Sequence, residues 1–145
     1  MVVDDDEEDH DIMRAACEIL EAADCLKFFH DGHALLRYLK ASESPPFMIL
    51  CDINMPHIDG LDLRKVIWND PDLKRISIPF IFFSTAASPS QINQAYDLTV
   101  QGFFVKGNSM NETVRKLRLI FDYWRECKHP NYIRLRPKNE NNPVN

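Results

Sequence analysis

Five short apolar runs, each followed by a stretch of different periodicity, constrain this chain more than any other feature. They are Met1-Val2-Val3, then CLKFF at 25–29, FMILC at 47–51, PFIFF at 79–83 and GFFV at 102–105. Each is too short for a buried helix, and unbroken apolar runs of this length suit strands covered on both faces. The intervening segments repeat at helical spacing. Ile12, Ala16, Ile19 and Ala23 predict one amphipathic helix, and a second begins near Asp31 with Leu35, Leu36 and Leu39 on its apolar side. A third runs through LDLRKVIW at 61–68, while NDPDLKRIS reads as its connection to the next strand. Ser88-Pro89 sets a cap residue before a proline at the first helical position, opening a fourth helix through Tyr96. Ser109 and Glu112 have capping-box spacing and start a fifth, whose Val114, Leu117, Phe121 and Trp124 share a face.

Strands alternating with helices predict an α/β fold: one parallel sheet of five strands, with five helices on both faces through right-handed crossovers. Residues 1–128 read as one domain, and 129–145, rich in Asn, Pro and charge, as a flexible polar tail. A net charge of −5 argues against direct nucleic-acid binding. No apolar run approaches a membrane span, so membrane insertion is not expected, and the acidic N-terminus is unlike a signal peptide, which points to the cytoplasm. Cys17, Cys25, Cys51 and Cys127 are scattered, without disulfide or zinc spacing, and read as small buried or half-buried thiols. All five histidines are expected at the surface, none in a metal-ligand pair.

In parallel sheets of this kind, functional groups gather beyond the carboxyl ends of the strands. Asp4 and Asp5 follow the first run, Asp52 the third, Ser84 the fourth and Lys106 the fifth. Three carboxylates, a hydroxyl and an ammonium on one rim describe an oxygen-lined site for Mg²⁺. They also supply what phosphoryl transfer to an aspartate needs: a carboxylate nucleophile, a metal and a compact positive charge. Asp6, Glu7, Glu8 and Asp9 read as solvated acids favouring a helix start.

VVDDDEED, ILCDINMPHIDG, FFST and GFFVK, in that order, resemble the receiver domain of two-component response regulators over about residues 1–127. The resemblance implies a flavodoxin-like, doubly wound sheet of order 2-1-3-4-5. It makes Asp52 the phosphoacceptor, Asp5 a direct Mg²⁺ ligand, Asp4 a ligand through water and Asn54 a ligand through its backbone carbonyl. Ser84 takes the place of the switch hydroxyl, favoured over Thr85 because the segment to Lys106 then matches without a gap. Lys106 matches the family lysine and Phe103 the switch aromatic, while Pro56 and Gly60 resemble the residues that shape the acceptor loop. Gly107 departs from the usual proline. The implied partners are a sensor histidine kinase or phosphotransfer protein as donor and a protein target, the domain acting as a phosphoprotein switch rather than an enzyme.

Two other readings fit parts of the pattern. Asp4-x-Asp6, Ser84 and Lys106 mimic a haloacid-dehalogenase-like phosphatase, but that reading leaves the D-x-x-M-P loop without a purpose. A pseudo-receiver, a binding module working without phosphorylation, is opposed by the intact acids and left open by Gly107.

Overall fold

In a computed structural model, which describes residues 1–42 and 44–128, five parallel strands form one sheet. They are β1 (Val2–Val3), β2 (Phe28–Phe29), β3 (Ile49–Cys51), β4 (Phe80–Ser84) and β5 (Gly102–Val105), in the order β2-β1-β3-β4-β5. Register pairs Val3 with Cys51 and Cys51 with Phe82. Ser84 pairs with Val105 on the far side. This brings the ends of β1, β3, β4 and β5 to one rim.

Among the described residues six α-helices cover the sheet: α1 (Glu7–Ile19), α2 (Gly32–Ala41), α3 (Gly60–Asn69), α4 (Pro71–Ile76), α5 (Pro89–Asp97) and α6 (Met110–Glu126). The alternation of strand side chains splits the core in two. Val3, Phe29, Ile49, Cys51, Phe80 and Phe82 face α2, α3, α4 and α5 through Leu35, Leu39, Leu63, Ile67, Leu73 and Ala95. Val2, Leu50, Ile81 and Phe83 face α1 and α6 through Met13, Ala16, Cys17, Leu117, Ile120 and Phe121. Every helix starts on a side-chain cap: Asp6, Asp31, Asp59, Asp70, Ser88 and Ser109 each accept a bond from the first turn. Each such cap contributes about 1 kcal/mol. Ser88 forms a full capping box, with Gln91 accepting in return from the Ser88 N–H. At α6 the return bond slips by one, since Glu112 accepts from the Asn108 N–H.

Several expectations are corrected. The connector at 69–77 contains α4, because Asp70 caps two N–H groups and Pro71 is preset for the first helical position. The segment 25–29 is strand only at Phe28–Phe29, with a 3₁₀ turn at Ala23–Cys25. Cys25 is exposed, not half-buried. Asp6 caps the start of α1, and the buried face of the helix carries His10, Met13, Ala16 and Cys17 while Ile12 and Ile19 are exposed. His10 is therefore no surface histidine: it is 1% exposed. The tail at 129–145, with His129, lies outside the described residues. Among the described residues, no helix is long and apolar enough to cross a membrane.

Candidate functional site

The four strand ends place Asp4, Asp52, Ser84 and Lys106 together, all buried except the partly covered lysine. Lys106 Nζ donates to Asp4 Oδ2 at 2.6 Å and to Asp9 Oδ2 at 2.7 Å. Its distance to Asp52 Oδ1 is 3.3 Å. Burial alone would depress the ammonium. The bonds it donates to Asp4 and Asp9 and the charges of Asp4 and Asp52 outweigh it and hold Lys106 well above the ordinary lysine value. For Asp4, burial dominates and raises the carboxyl above its usual value, against the opposing bond from Lys106.

Asp52 is anchored on one side only. Its Oδ2 accepts from the Asn54 N–H at 2.6 Å, while Oδ1 is buried without a hydrogen-bond partner. The Lys106 contact to Oδ1 is thus an ion pair outside hydrogen-bond geometry, and that oxygen keeps its lone pairs available. A buried acceptor left in this way costs on the order of 1–3 kcal/mol, and such an orphan is expected where a site takes a ligand. With three carboxylates around one ammonium, the donor set suits a hard divalent cation, which binds oxygen and keeps part of its water shell.

Asn54 ties the acceptor loop to the neighbouring strand end. Its Nδ2 donates to Ala86 O at 3.3 Å and lies 3.5 Å from Ser84 Oγ. Its Oδ1 accepts from Gln91 Nε2 at 3.3 Å, and Ser84 Oγ donates to Ala86 O. Phe103 is half-buried, its ring 5.6 Å from that of Phe82. Asp5 projects into solvent at the end of β1, and Asp6 is committed to capping α1. Gly107 has a steric reason. A Cβ there would meet the Thr113 N–H nitrogen at 2.8 Å and Glu112 Cβ at 2.9 Å, so the glycine lets the first turn of α6 close over the Lys106 loop.

Sequence reasoning took Asp9 for a solvated acid, whereas it is half-buried and bonded to the lysine. Asp9→Asn is expected to lower stability by about 1.5–3 kcal/mol, the range for a charge-assisted bond. Glu8→Gln, on the exposed side of the same turn, should change it by less than about 0.5 kcal/mol. Urea unfolding checks both, and equal effects would mean that the bond to Lys106 contributes nothing.

The comparisons agree with this geometry. The family model for the response regulator receiver domain matches residues 1–118. A probable methanogenesis regulatory protein of Methanothrix harundinacea, FilR2, is 27% identical over 128 residues, covering 86% of this chain and 81% of its own. The phosphorylated cyanobacterial phytochrome response regulator RcpA superposes with a TM-score of 0.76 at 28% identity, over 86% of this chain and 91% of that one. The Mn²⁺-bound form of response regulator Rcp1, a Synechocystis protein, gives 0.72 at 26% identity, over 88% and 94%. With the sheet order, the acidic rim and the family match in accord, the chain belongs to the response regulator receiver domain family.

Proposed function

We propose that this chain is a signalling switch that accepts a phosphoryl group on Asp52 from a histidine kinase or phosphotransfer protein. The observation that carries the reading is the Asp52 carboxylate itself: buried at a strand end, fixed at Oδ2 and without a hydrogen bond at Oδ1, beside a partly covered ammonium. One fixed oxygen orients the group, and the other is free to attack phosphorus. The bond from Oδ1 to phosphorus forms as that between phosphorus and the donor breaks, and the donor leaves with the bonding pair.

Asp5, Asp52, the Asn54 carbonyl and, through water, Asp4 are the residues that would hold Mg²⁺. A bound Mg²⁺ neutralises charge on the phosphoryl oxygens. Lys106 supplies a second positive charge next to Oδ1, and its firm protonation keeps that charge present throughout the physiological range. Ser84, now donating to Ala86 O, would turn to donate to a phosphoryl oxygen carried by Asp52. Its turn would release the Ser84–Ala86 link, and Phe103, half-buried against Phe82, would follow inward. The added charge of about −1.5 to −2 drives the shift between two packings, which a protein partner reads. Residues 1–128 form the switch, working in the cytoplasm, with 129–145 as a tail.

The test is intact mass after incubation with acetyl phosphate and Mg²⁺. The expected result is a gain of one phosphoryl group in the wild type, lost in Asp52→Asn and on metal removal. A gain that survives Asp52→Asn would overturn the assignment. If acetyl phosphate labels neither protein, transfer from a phosphorylated histidine kinase decides, and its failure on the wild type would leave only the binding-module reading.

A further inference from the structure

Beside the acidic rim, the first turn of α1 and the end of β2 bring together Glu7, His10 and His30, and one ligand atom from each lies within 4.8 Å of the others. Glu7 Oε1 is 3.5 Å from His30 Nε2, and Glu7 Oε2 is 3.8 Å from His10 Nδ1. Both distances exceed the 2.7–3.2 Å range of N–H···O bonds. The 3.5 Å distance matches the separation of about 3.3–3.5 Å between neighbouring ligands on a tetrahedral ion with bonds near 2.0–2.2 Å, and the 3.8 Å one, made by the other carboxylate oxygen, is a few tenths of an ångström longer. The two rings are tilted by 48° with centroids 4.6 Å apart, so they converge without stacking.

The burial of His10 is the second observation. Its Nδ1 is the nitrogen nearest Glu7, while its Nε2 is buried without a hydrogen-bond partner, which buried polar atoms seldom are. Burial, helped by the neighbouring His30, lowers its pKa and favours the neutral imidazole, the form that ligates metals. Glu7 and His30 are exposed, so an ion has a path in from solvent.

We propose that Glu7, His10 and His30 form a second metal site, selective for a borderline divalent transition ion such as Zn²⁺, with water completing the coordination. Two imidazoles and one carboxylate suit Zn²⁺ or Co²⁺, whereas Mg²⁺ favours all-oxygen sites. The two sites are therefore separable by ligand chemistry. Occupancy ties the end of β2 to the turn of α1 that also carries Asp9, and so braces the helix that holds Lys106.

The experiment titrates the full chain with Co²⁺ in excess Mg²⁺ and reads the visible absorption of the ion, then displaces it with Zn²⁺. One equivalent with nitrogen-ligand bands is expected. The bands should be lost in His30→Ala and need at least about tenfold more Co²⁺ in Glu7→Gln, where one ligand of three is gone. Both substitutions fall on exposed side chains, so folding is not at issue, and Asp52→Asn should titrate like the wild type whether or not Asp52 is the phosphoacceptor. Absence of the bands in the wild type, an unchanged titration in His30→Ala, or loss in Asp52→Asn alone would each overturn the site.

Discussion

Lys106→Met is expected to lower stability by about 3–5 kcal/mol at neutral pH, the cost of leaving buried charge without its partner. At a few degrees per kcal/mol for a chain of this size, the melting temperature should fall by roughly 10 °C. The cation is surrounded by Asp4, Asp9 and Asp52, with the lysine side chain only 10% exposed. Methionine fills similar volume, so what is lost is charge. The sign of the pH dependence follows from Asp4, whose carboxyl burial already holds above its unfolded value. Between the two values the folded form binds more protons, and stability falls as pH rises through that window. Removing Lys106 deletes the interactions that pull Asp4 down, which widens the window upward.

The deficit of the variant should therefore be small near pH 4 and grow towards pH 7. The lysine contributes no titration of its own there. Its folded pKa is raised, so its contribution is complete below the ordinary lysine range and lost only as pH rises through the folded value. Lys40→Met is the control: Lys40 pairs with Asp70 at 3.3 Å but is 62% exposed, and its loss should cost less than about 1 kcal/mol. Thermal unfolding from pH 4 to 8 checks both variants. A Lys106→Met deficit that does not change with pH would show that packing, not charge, is what Lys106 provides.

The sequence was most legible where one physical preference acts alone. FMILC and PFIFF could only be buried strands, and Ser88-Pro89 only a helix start; the structure has β3, β4 and α5 there. It misled where two preferences compete. The apolar residues Ile12 and Ile19 suggested one face for α1, but the face packed on the sheet carries Met13, Ala16 and Cys17 and takes His10 inward with them. The same packing explains Asp9. It lies one position before His10, at the edge of the buried stripe and within reach of a lysine ninety-seven residues away. Charge near a helix start is usually solvated, and nothing local marks one acid of six as different.

The strand-end residues were legible as a group because β1, β3, β4 and β5 are parallel and in register, so their ends coincide. Their bonding was not. That Ser84 faces Ala86, and that Asn54 links it to Gln91, depend on how the loops after β3 and β4 close over each other. Gly107 shows the converse case. In the sequence it is only a departure from the family's usual proline, whereas the close approach of Thr113 and Glu112 makes it a requirement of packing that no local pattern reveals.

The same reasoning gives Gly60→Ala a large expected effect. Gly60 is the first residue of α3, and its N–H donates to Ile53 O at 2.9 Å, closing the acceptor loop. A Cβ there would run into the Asp52 carbonyl oxygen, and would meet the Phe82 ring at 2.8 Å and Ile53 Cα at 2.9 Å. Two of these three neighbours are the backbone that carries Asp52, so relief requires moving either α3 or the acceptor. A loss at or above the usual overpacking range, about 3 kcal/mol, is expected, with slower phosphoryl uptake from acetyl phosphate. Gly102→Ala makes the same chemical change at a different place. Its Cβ would find the Phe104 ring at 3.2 Å and Ile81 Cγ2 at 3.7 Å, both side chains, and the half-buried Phe104 can give way. That variant should lie within about 1 kcal/mol of the wild type, the penalty for close contact being offset by the reduced freedom of the unfolded chain. Urea unfolding of the two variants side by side separates the explanations. Equal losses would mean that a backbone neighbour and a side-chain neighbour resist the added Cβ alike. A loss confined to Gly60→Ala would mean that the closeness of α3 to the Asp52 carbonyl is what fixes the acceptor in place.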